Sequence, residues 1–448
     1  MSSTGSLADR AALKKKELEE RIILRSIIVP TDDKVVSQAL NNLREVLFNT
    51  PEKRREQLRQ VLYQRKMSNL SYSIDSILKN TKPIDMNDDI EYWSVGTKQL
   101  LQFRRQLAYS SINLASERLK MLKQCSNIPL EEWKAKQKSF SAEFSQLFPV
   151  SSSAISERPI TTLSVCKQDE SKIAVGDMGG RLLLCQFKDD EMETIFESNE
   201  HQGRISDITW NPHVSLDDAV AHFSSCGNDG KVLFYNIESD DPFAEIDAHE
   251  SRCSRLKHLN QNNFITCGFD KLIKLWDTES MECILEQQGH DREVYTIATH
   301  PDQSLLYAGD LGGKGRIWDL RSGRSISLLQ DDQRGVLTSV WHPNGFWLFT
   351  AGEDKVVRLY DIRQLKQFYE IPAHSQNISH IQMHADNLTE ANSLLTVSFD
   401  QTVKIWSEND WRLEFSQEAH DGKITCADWK DKLITGGFDR NVKLWDSE

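Results

Sequence analysis

Residues 418–446 read EAHDGKITCADWKDKLITGGFDRNVKLWD, and two earlier stretches repeat them. These are DAHESRCSRLKHLNQNNFITCGFDKLIKLWD at 247–277 and PAHSQNISHIQMHADNLTEANSLLTVSFDQTVKIWS at 372–407. In each, a histidine opens the unit, Thr and Asp follow four residues apart, and an aromatic residue closes a run of alternating apolar and polar positions. That alternation is the period of a β-strand, and the Gly, Asn and Asp between runs are turn formers. Aligned on the histidine, the units begin at His201, His249, His290, His374 and His420, with Asp332 once in that slot. The intervals are 48, 41, 42, 42 and 46 residues. Asn211-Pro212, His300-Pro301 and His342-Pro343 recur after the first strand of their units, where a turn is needed. A less regular unit from Ile160 to about Ser198 precedes these six and makes seven.

Four short antiparallel strands repeating every ~40–45 residues and ending in Trp-Asp describe the blade of a propeller. The expected fold is mainly β: a seven-bladed WD-repeat β-propeller over 150–448, with an N-terminal α-helical arm. Trp445-Asp446 completes only the third strand of the seventh unit, which would leave a pairing edge open. Residues 150–157 (VSSSAISE) are expected to close the ring by pairing beside 441–446.

The recurring side chains could each be misread as a nucleophilic triad. The first set is His201, Ser225, Asp229 and Tyr235, and the second is His249, Thr266, Asp270 and Trp276. The third is His374, Thr396, Asp400 and Trp406, and the fourth is His420, Thr435, Asp439 and Trp445. Four copies around one ring argue against catalysis, which needs one. In WD-repeat proteins such residues form a hydrogen-bonded tetrad that locks the loop entering a blade to its inner strands, and buried polar groups require such partners. Unit five has Asp332, Thr350, Asp354 and Tyr360, two carboxylates where His and Asp are expected. Unit four keeps His290 and Trp318 but has Ala308 and Gly312, and unit one keeps almost nothing of the set. These three blades are expected to be less rigidly locked. The run GDLGGKGR (309–316) lacks the GK[ST] ending of a phosphate loop and matches the turn GDMGGR (176–181), so it reads as a hairpin.

The residue before the tetrad Asp falls on one rim: Met178, Asn228, Phe269, Leu311, Glu353, Phe399 and Phe438. Phe399, Phe438 and Met178 would form one apolar, protein-binding patch and Phe269 with Leu311 another, unless the loops of the ring cover them.

Among the 448 residues the net charge of −13 is uneven. Residues 1–159 hold 26 Lys+Arg against 19 Asp+Glu, and 160–448 hold 28 against 48, so a basic arm precedes an acidic body. A polyanion would meet the arm first. The eight cysteines form no CxxC pair or Cys/His metal spacing and read as reduced, buried hydrophobes. No apolar run approaches the ~18 residues of a membrane span, and the first residues lack the order of a secretory signal. A soluble intracellular protein is expected, with no metal, cofactor or small-molecule substrate.

In the arm, 1–26 are polar and charged, with Lys14-Lys15-Lys16 as a weak nuclear-targeting cluster, and are expected to be disordered or ordered by a partner. A two-helix module spans 27–70. Thr31 caps the first helix, whose apolar face is Val36, Leu40, Leu43 and Leu47. Thr50-Pro51 opens the second, with Leu58, Val61 and Leu62 inside and Arg54, Arg55, Arg59 and Arg65 outside. Within the linker 71–149, a helix at about 97–124 carries an apolar stripe through Leu100, Phe103, Leu107, Leu114 and Met121. Its Lys98, Arg104, Arg105, Arg118, Lys120 and Lys123 face only Glu117 and, with Arg54 and Arg55, are candidates for RNA phosphate contact; the alternative is a solvated helix face.

From about residue 27 onward the layout resembles the WD-repeat subunit of the spliceosomal U4/U6 small nuclear ribonucleoprotein. The segment IIVPTDDKVVSQAL (27–40) with TPEKRREQLRQVL (50–62) is similar to that family's splicing-factor-motif module. AYSSINLASERLK (108–120) and SERPI (156–160) match its linker, and GRIWDLRSGR (315–324), IPAH (371–374) and NDW…AH (409–420) fall where the family has them. The resemblance implies nuclear pre-mRNA splicing within the U4/U6 and U4/U6·U5 particles. It also implies U4/U6 protein partners, snRNA contact and a cyclophilin docking at about 27–50. Two other readings stay open: a protein-interaction adaptor without RNA, and an enzyme, for which no nucleophile elbow, metal cluster or phosphate loop is present.

Overall fold

The computed structural model describes residues 53, 56–62, 97–125, 131, 144, 146–188, 191–216, 221–329, 334–384, 392–408, 410–430 and 432–447. The chain divides into two compact units, Met1–Val95 and Gly96–Glu448. In the first, 56–62 is helical, with Leu58 and Leu62 buried, Val61 partly so and Arg59 exposed. Arg54, Arg55 and the rest of the two-helix module lie outside the described residues.

In the second unit the described residues form seven four-stranded antiparallel sheets. Six follow chain order, as blades 1 (160–198), 2 (205–247), 3 (253–287), 4 (294–329), 5 (336–372) and 6 (378–418). Blade 7 takes three strands from 424–447 and its outermost strand from Leu147–Ala154, which pairs antiparallel with Asn441–Ser447. This closure was expected from 150–157; it begins at Leu147 and ends at Ala154, Ala154 facing Asn441 and Leu147 facing Ser447. An unpaired edge on the last blade is thereby removed.

The burial pattern follows from blades stacking face on face. Second strands such as Asn263–Gly268 and Ser393–Ser398 are buried at every position, whereas an outer strand such as Leu413–Glu418 is half-buried or exposed throughout. Every innermost strand carries a bulge after its first residue. The extra residue's hydroxyl can then reach the next blade: Thr161 donates to Ile205 O (2.6 Å), Ser379 to Ile424 O (2.7 Å) and Thr425 to Ile160 O (2.8 Å). The last bond crosses from blade 7 to blade 1 and ties the ring shut. Six of the eight cysteines are buried, and Cys125 and Cys283 are half-buried. Burial pushes the thiols of Cys185 and Cys426 up to about 11 and about 12, so they pack as hydrophobes.

Helix α1, Lys98–Cys125, belongs to the same unit. Thr97 accepts the Leu100 amide through its hydroxyl (3.2 Å) and caps it. Leu100, Phe103 and Leu107 pack into a core with Leu259, Ile265, Leu275, Ile284 and Leu320 of blades 3 and 4. The expected stripe holds at Leu100, Phe103 and Leu107, is half-buried at Leu114 and needs correcting at Met121. Ser111 takes the next inward position, while Met121 is 43% exposed.

Candidate functional site

The hairpin between the second and third strands of every blade is one structure made seven times. Its fourth residue has positive φ: Gly180, Gly230, Lys271, Gly313, Lys355, Gln401 and Arg440, between 69° and 95°. In blades 2, 3, 6 and 7 the tetrad Asp accepts the amide two residues on, at 3.1–3.2 Å, and also binds the histidine.

In blade 3, His249 Nδ1 lies 2.8 Å from Asp270 Oδ2 and His249 Nε2 2.8 Å from Thr266 Oγ1, which in turn accepts Trp276 Nε1–H at 2.9 Å. A neutral ring serves all three contacts when Nδ1 donates to the carboxylate and Nε2 accepts the threonine proton. Blade 6 repeats this. His374 lies 3.0 Å from Asp400 and 2.9 Å from Thr396, and the hydroxyl of Thr396 accepts the indole N–H of Trp406 at 3.0 Å. Blade 7 does the same, with His420 2.8 Å from Asp439 and 2.8 Å from Thr435. There the hydroxyl of Thr435 accepts the indole N–H of Trp445 at 3.0 Å. The side chains of Thr396, Trp406, Thr435 and Asp439 are therefore engaged in bonds within their own blades. A Cβ on Gly268 would fall 2.7 Å from the His249 ring, which is why glycine precedes Phe269. The histidine rings are almost fully buried, and the chain of bonds runs from loop to strand.

In blade 2, His201 binds Asp229 (3.0 Å) and Ser225 (2.7 Å), and the Tyr235 hydroxyl meets Ser198 (3.3 Å) as well as Ser225. In blades 4 and 1 the expected position holds glycine, and the carboxylate comes from two residues upstream, a replacement the Thr-to-Asp spacing does not reveal. Asp310 Oδ1 accepts the amides of Gly312 and Lys314, both at 2.9 Å, and its Oδ2 lies 3.2 Å from His290 Nδ1. Asp177 accepts the amides of Gly179 (2.7 Å) and Arg181 (2.9 Å), with Ser156 in place of histidine (2.7 Å). Unit one therefore keeps the cap that the sequence reading denied it. The repeated GDxGG was its signal. With Ala308 where others have threonine, His290 Nε2 and Trp318 Nε1 are buried without a hydrogen-bond partner among the described residues. In blade 5, Asp354 pairs with the buried Arg358; Asp332, the other carboxylate of that set, lies outside the described residues.

The seven rim residues are structurally equivalent. The amides of Met178, Asn228, Phe269, Leu311, Glu353, Phe399 and Phe438 donate to Pro159, Arg204, Arg252, Glu293, Gly335, Asn377 and Lys423 carbonyls at 2.8–3.1 Å. Met178 is exposed, whereas Phe269, Leu311, Phe399 and Phe438 are half-buried. The Lys423 ammonium sits 5.0 Å from the Phe399 ring centre and 6.0 Å from that of Phe438, and Arg252 lies 4.9 Å from Phe269. The rim is thus aromatic and cationic rather than a bare apolar patch.

Helix α1 sits at the opposite end of the blades, because it meets the turns that follow first and third strands. Arg118 grips Asp302 through two nitrogens (2.8 and 2.6 Å), donates to Asn344 O and lies 5.3 Å from the Phe346 ring centre. Arg104 packs against the turn at Gly323. Both were candidates for RNA; Arg118 instead docks the helix, since its guanidinium is engaged by a carboxylate 184 residues away. Lys98, Arg105, Lys120 and Lys123 are exposed, together with Leu101, Tyr109, Ile112 and Leu119.

A ring of blades locked by His–Ser/Thr–Asp contacts defines the class, and the chain belongs to the WD-repeat family. The profile of the WD domain, G-beta repeat, matches residues 241–277, 281–319, 323–361, 365–407 and 411–446, each match taking the outer strand of one blade with three of the next. The chain is similar to the U4/U6 small nuclear ribonucleoprotein PRP4 of Saccharomyces cerevisiae, 28% identical over 374 residues, which are 81% of this chain and 78% of that protein. It is also 32% identical over 216 residues to a guanine nucleotide-binding protein subunit beta of Schizosaccharomyces pombe, 47% of this chain and 69% of that one. An uncharacterised WD repeat-containing protein of the same yeast is 27% identical over 266 residues, 56% of this chain and 54% of that protein.

Proposed function

We propose that the chain is a non-catalytic scaffold of the U4/U6 and U4/U6·U5 small nuclear ribonucleoproteins, acting in pre-mRNA splicing in the nucleus. The observation that carries this is similarity to the yeast U4/U6 protein over 81% of the chain, a span that reaches beyond the repeats. The tetrad-turn end of the propeller holds other proteins of the particle. Helix α1, at the other end, touches U4/U6 snRNA through Lys98, Arg105, Lys120 and Lys123. Charge-driven phosphate contact of this kind needs no base reading. Arg54 and Arg55 of the 27–70 module are further candidates for phosphate contact, and 27–50 offers a site for a cyclophilin.

The test is purification of the tagged full chain at moderate salt. U4 and U6 RNA should accompany it, and their absence would sink the reading. Lys98→Glu, Arg105→Glu and Lys120→Glu together should reduce the RNA retained and flatten its salt dependence. A second reading, an adaptor without RNA, is favoured by the exposed Leu101, Tyr109, Ile112 and Leu119 on the same helix. It predicts that Leu101→Ser with Ile112→Ser releases a protein while the charge reversals change nothing.

A further inference from the structure

Three arginines converge where the tetrad-turn rim meets the central channel. Arg204 and Arg252 occupy equivalent rim positions on blades 2 and 3, their carbonyls accepting the amides of Asn228 and Phe269 (both 2.9 Å). Arg255, on the innermost strand of blade 3, lines a central cavity of about 440 Å³. Tyr295, at the bulge of blade 4, stands among them. Its ring centre lies 5.8 Å from the Arg252 guanidinium and 5.9 Å from that of Arg255, and Arg204 hydrogen-bonds its hydroxyl. Burial alone would raise the Tyr295 phenol, but Arg255, Arg204 and Arg252 outweigh it and hold the pKa below the ordinary tyrosine value.

The cluster is not neutralised. Among the described residues Asp207 is the carboxylate paired with it, 3.5 Å from Arg255 and also accepting the Leu256 amide (3.2 Å). Arg252 has the Ser206 hydroxyl (3.4 Å) and two aromatic rings, and Arg204 Nε is buried without a hydrogen-bond partner among the described residues. Three cations against one anion leave two positive charges at one point of a segment, 160–448, in which acidic residues outnumber basic ones 48 to 28.

We propose that Arg204, Arg252, Arg255 and Tyr295 bind a phosphomonoester carried on a peptide, such as a phosphorylated serine of a protein partner. This deepens, and rests on, the reading of that end as protein-holding. A phosphomonoester carries about −1.5 to −2 charges near pH 7, which matches the excess, and guanidinium forks suit its oxygens. Phe269 and Tyr295 give the flanking peptide an aromatic wall. A nucleic acid fits worse, since phosphodiesters extending past the cluster would meet the acidic body.

The probe is N-acetyl-O-phosphoserine amide, followed by phosphorus NMR line broadening against the pure full chain. Saturable broadening is expected, with affinity about tenfold weaker in Arg204→Gln and in Arg252→Gln, the loss of one charge-assisted contact, and unchanged in Lys366→Gln. If Arg252→Gln fails to fold, Arg204→Gln carries the comparison. No broadening, or equal affinity in Arg204→Gln and Lys366→Gln, overturns the proposal. Displacement by an oligouridylate with the same arginine dependence would overturn the peptide assignment in favour of RNA. Co-purification of U4 and U6 RNA does not depend on Arg204, so failure here and failure of the scaffold reading are separable.

Discussion

Blades 3 and 4 are neighbours in the ring and build the same hairpin from different residues. In blade 3, Asp270 caps the turn and joins a continuous chain through His249 and Thr266 to Trp276. In blade 4, Asp310 caps the turn from two residues earlier and reaches His290, but the chain stops there because Ala308 offers no hydroxyl. Blade 1 repeats the shifted cap with Asp177 and dispenses with the histidine. The difference separates two jobs that the tetrad combines. Capping the turn's amides is met in blades 1 and 4 as in the others; bonding loop to strand through His, Thr and Trp is added where the sequence allows.

Acid should produce the largest effect, and it tests the histidines that hold the blades together. Burial depresses His258 and His380 to about 3 and lowers His300 and His420. Unfolded histidine binds a proton near pH 6.5, so between about 6.5 and 3 the unfolded chain holds more protons and stability falls as pH falls. The carboxylates of Asp229, Asp270 and Asp400, held low by their histidines despite burial, add a further loss at lower pH. A urea midpoint flat from pH 7 to 4 would contradict this.

Next in size is Asp310→Ala. It strips two turn amides and the His290 proton of their acceptor in a fully buried site, and should cost about 3 kcal/mol in urea unfolding. A loss as small as that of a surface substitution would show that the shifted carboxylate is not a cap. Ala308→Thr should act in the opposite direction. It supplies the hydroxyl that His290 Nε2 and Trp318 Nε1 lack and should stabilise by about 1 kcal/mol, whereas Thr266→Ala in blade 3 should destabilise by about 2. The smallest effect belongs to the turn itself. Lys355 holds φ 69°, so Lys355→Gly should gain a few tenths of a kcal/mol at most, by relieving left-handed strain against the added freedom of the unfolded chain.

Blades 3, 6 and 7 were legible in the sequence because their whole lock lies within one repeat. Thr396 with Trp406 and Thr435 with Asp439 stand at the spacings of Thr266, Asp270 and Trp276, so each repeat confirms the next. Asp177 and Asp310 were not legible, since a fixed four-residue spacing from the Ser/Thr position points to Gly179 and Gly312; the signal was GDxGG, which instead invites a loop reading. Closure by the strand before blade 1 followed from counting strands, and only its bounds moved, from 150–157 to Leu147–Ala154. The helix was harder. A basic residue on a predicted helix reads as exposed unless its partner is known, and Asp302 lies 184 residues from Arg118. Ser111 was missed for a related reason: inward positions were taken to be apolar, and the docking face holds this buried serine between Leu107 and the half-buried Leu114. Met121, apolar but outward, was placed inside by the same rule.

The two ends of the propeller carry the central claim: protein at the tetrad-turn rim, RNA at helix α1. Crosslinking in particles purified through the full chain, read for RNA and protein together, addresses it directly. The account predicts U4 or U6 RNA adducts on Lys98, Arg105 or Lys120, and protein crosslinks on the rim around Phe269, Phe399 and Phe438. RNA adducts on the rim, with α1 bearing none, would contradict it.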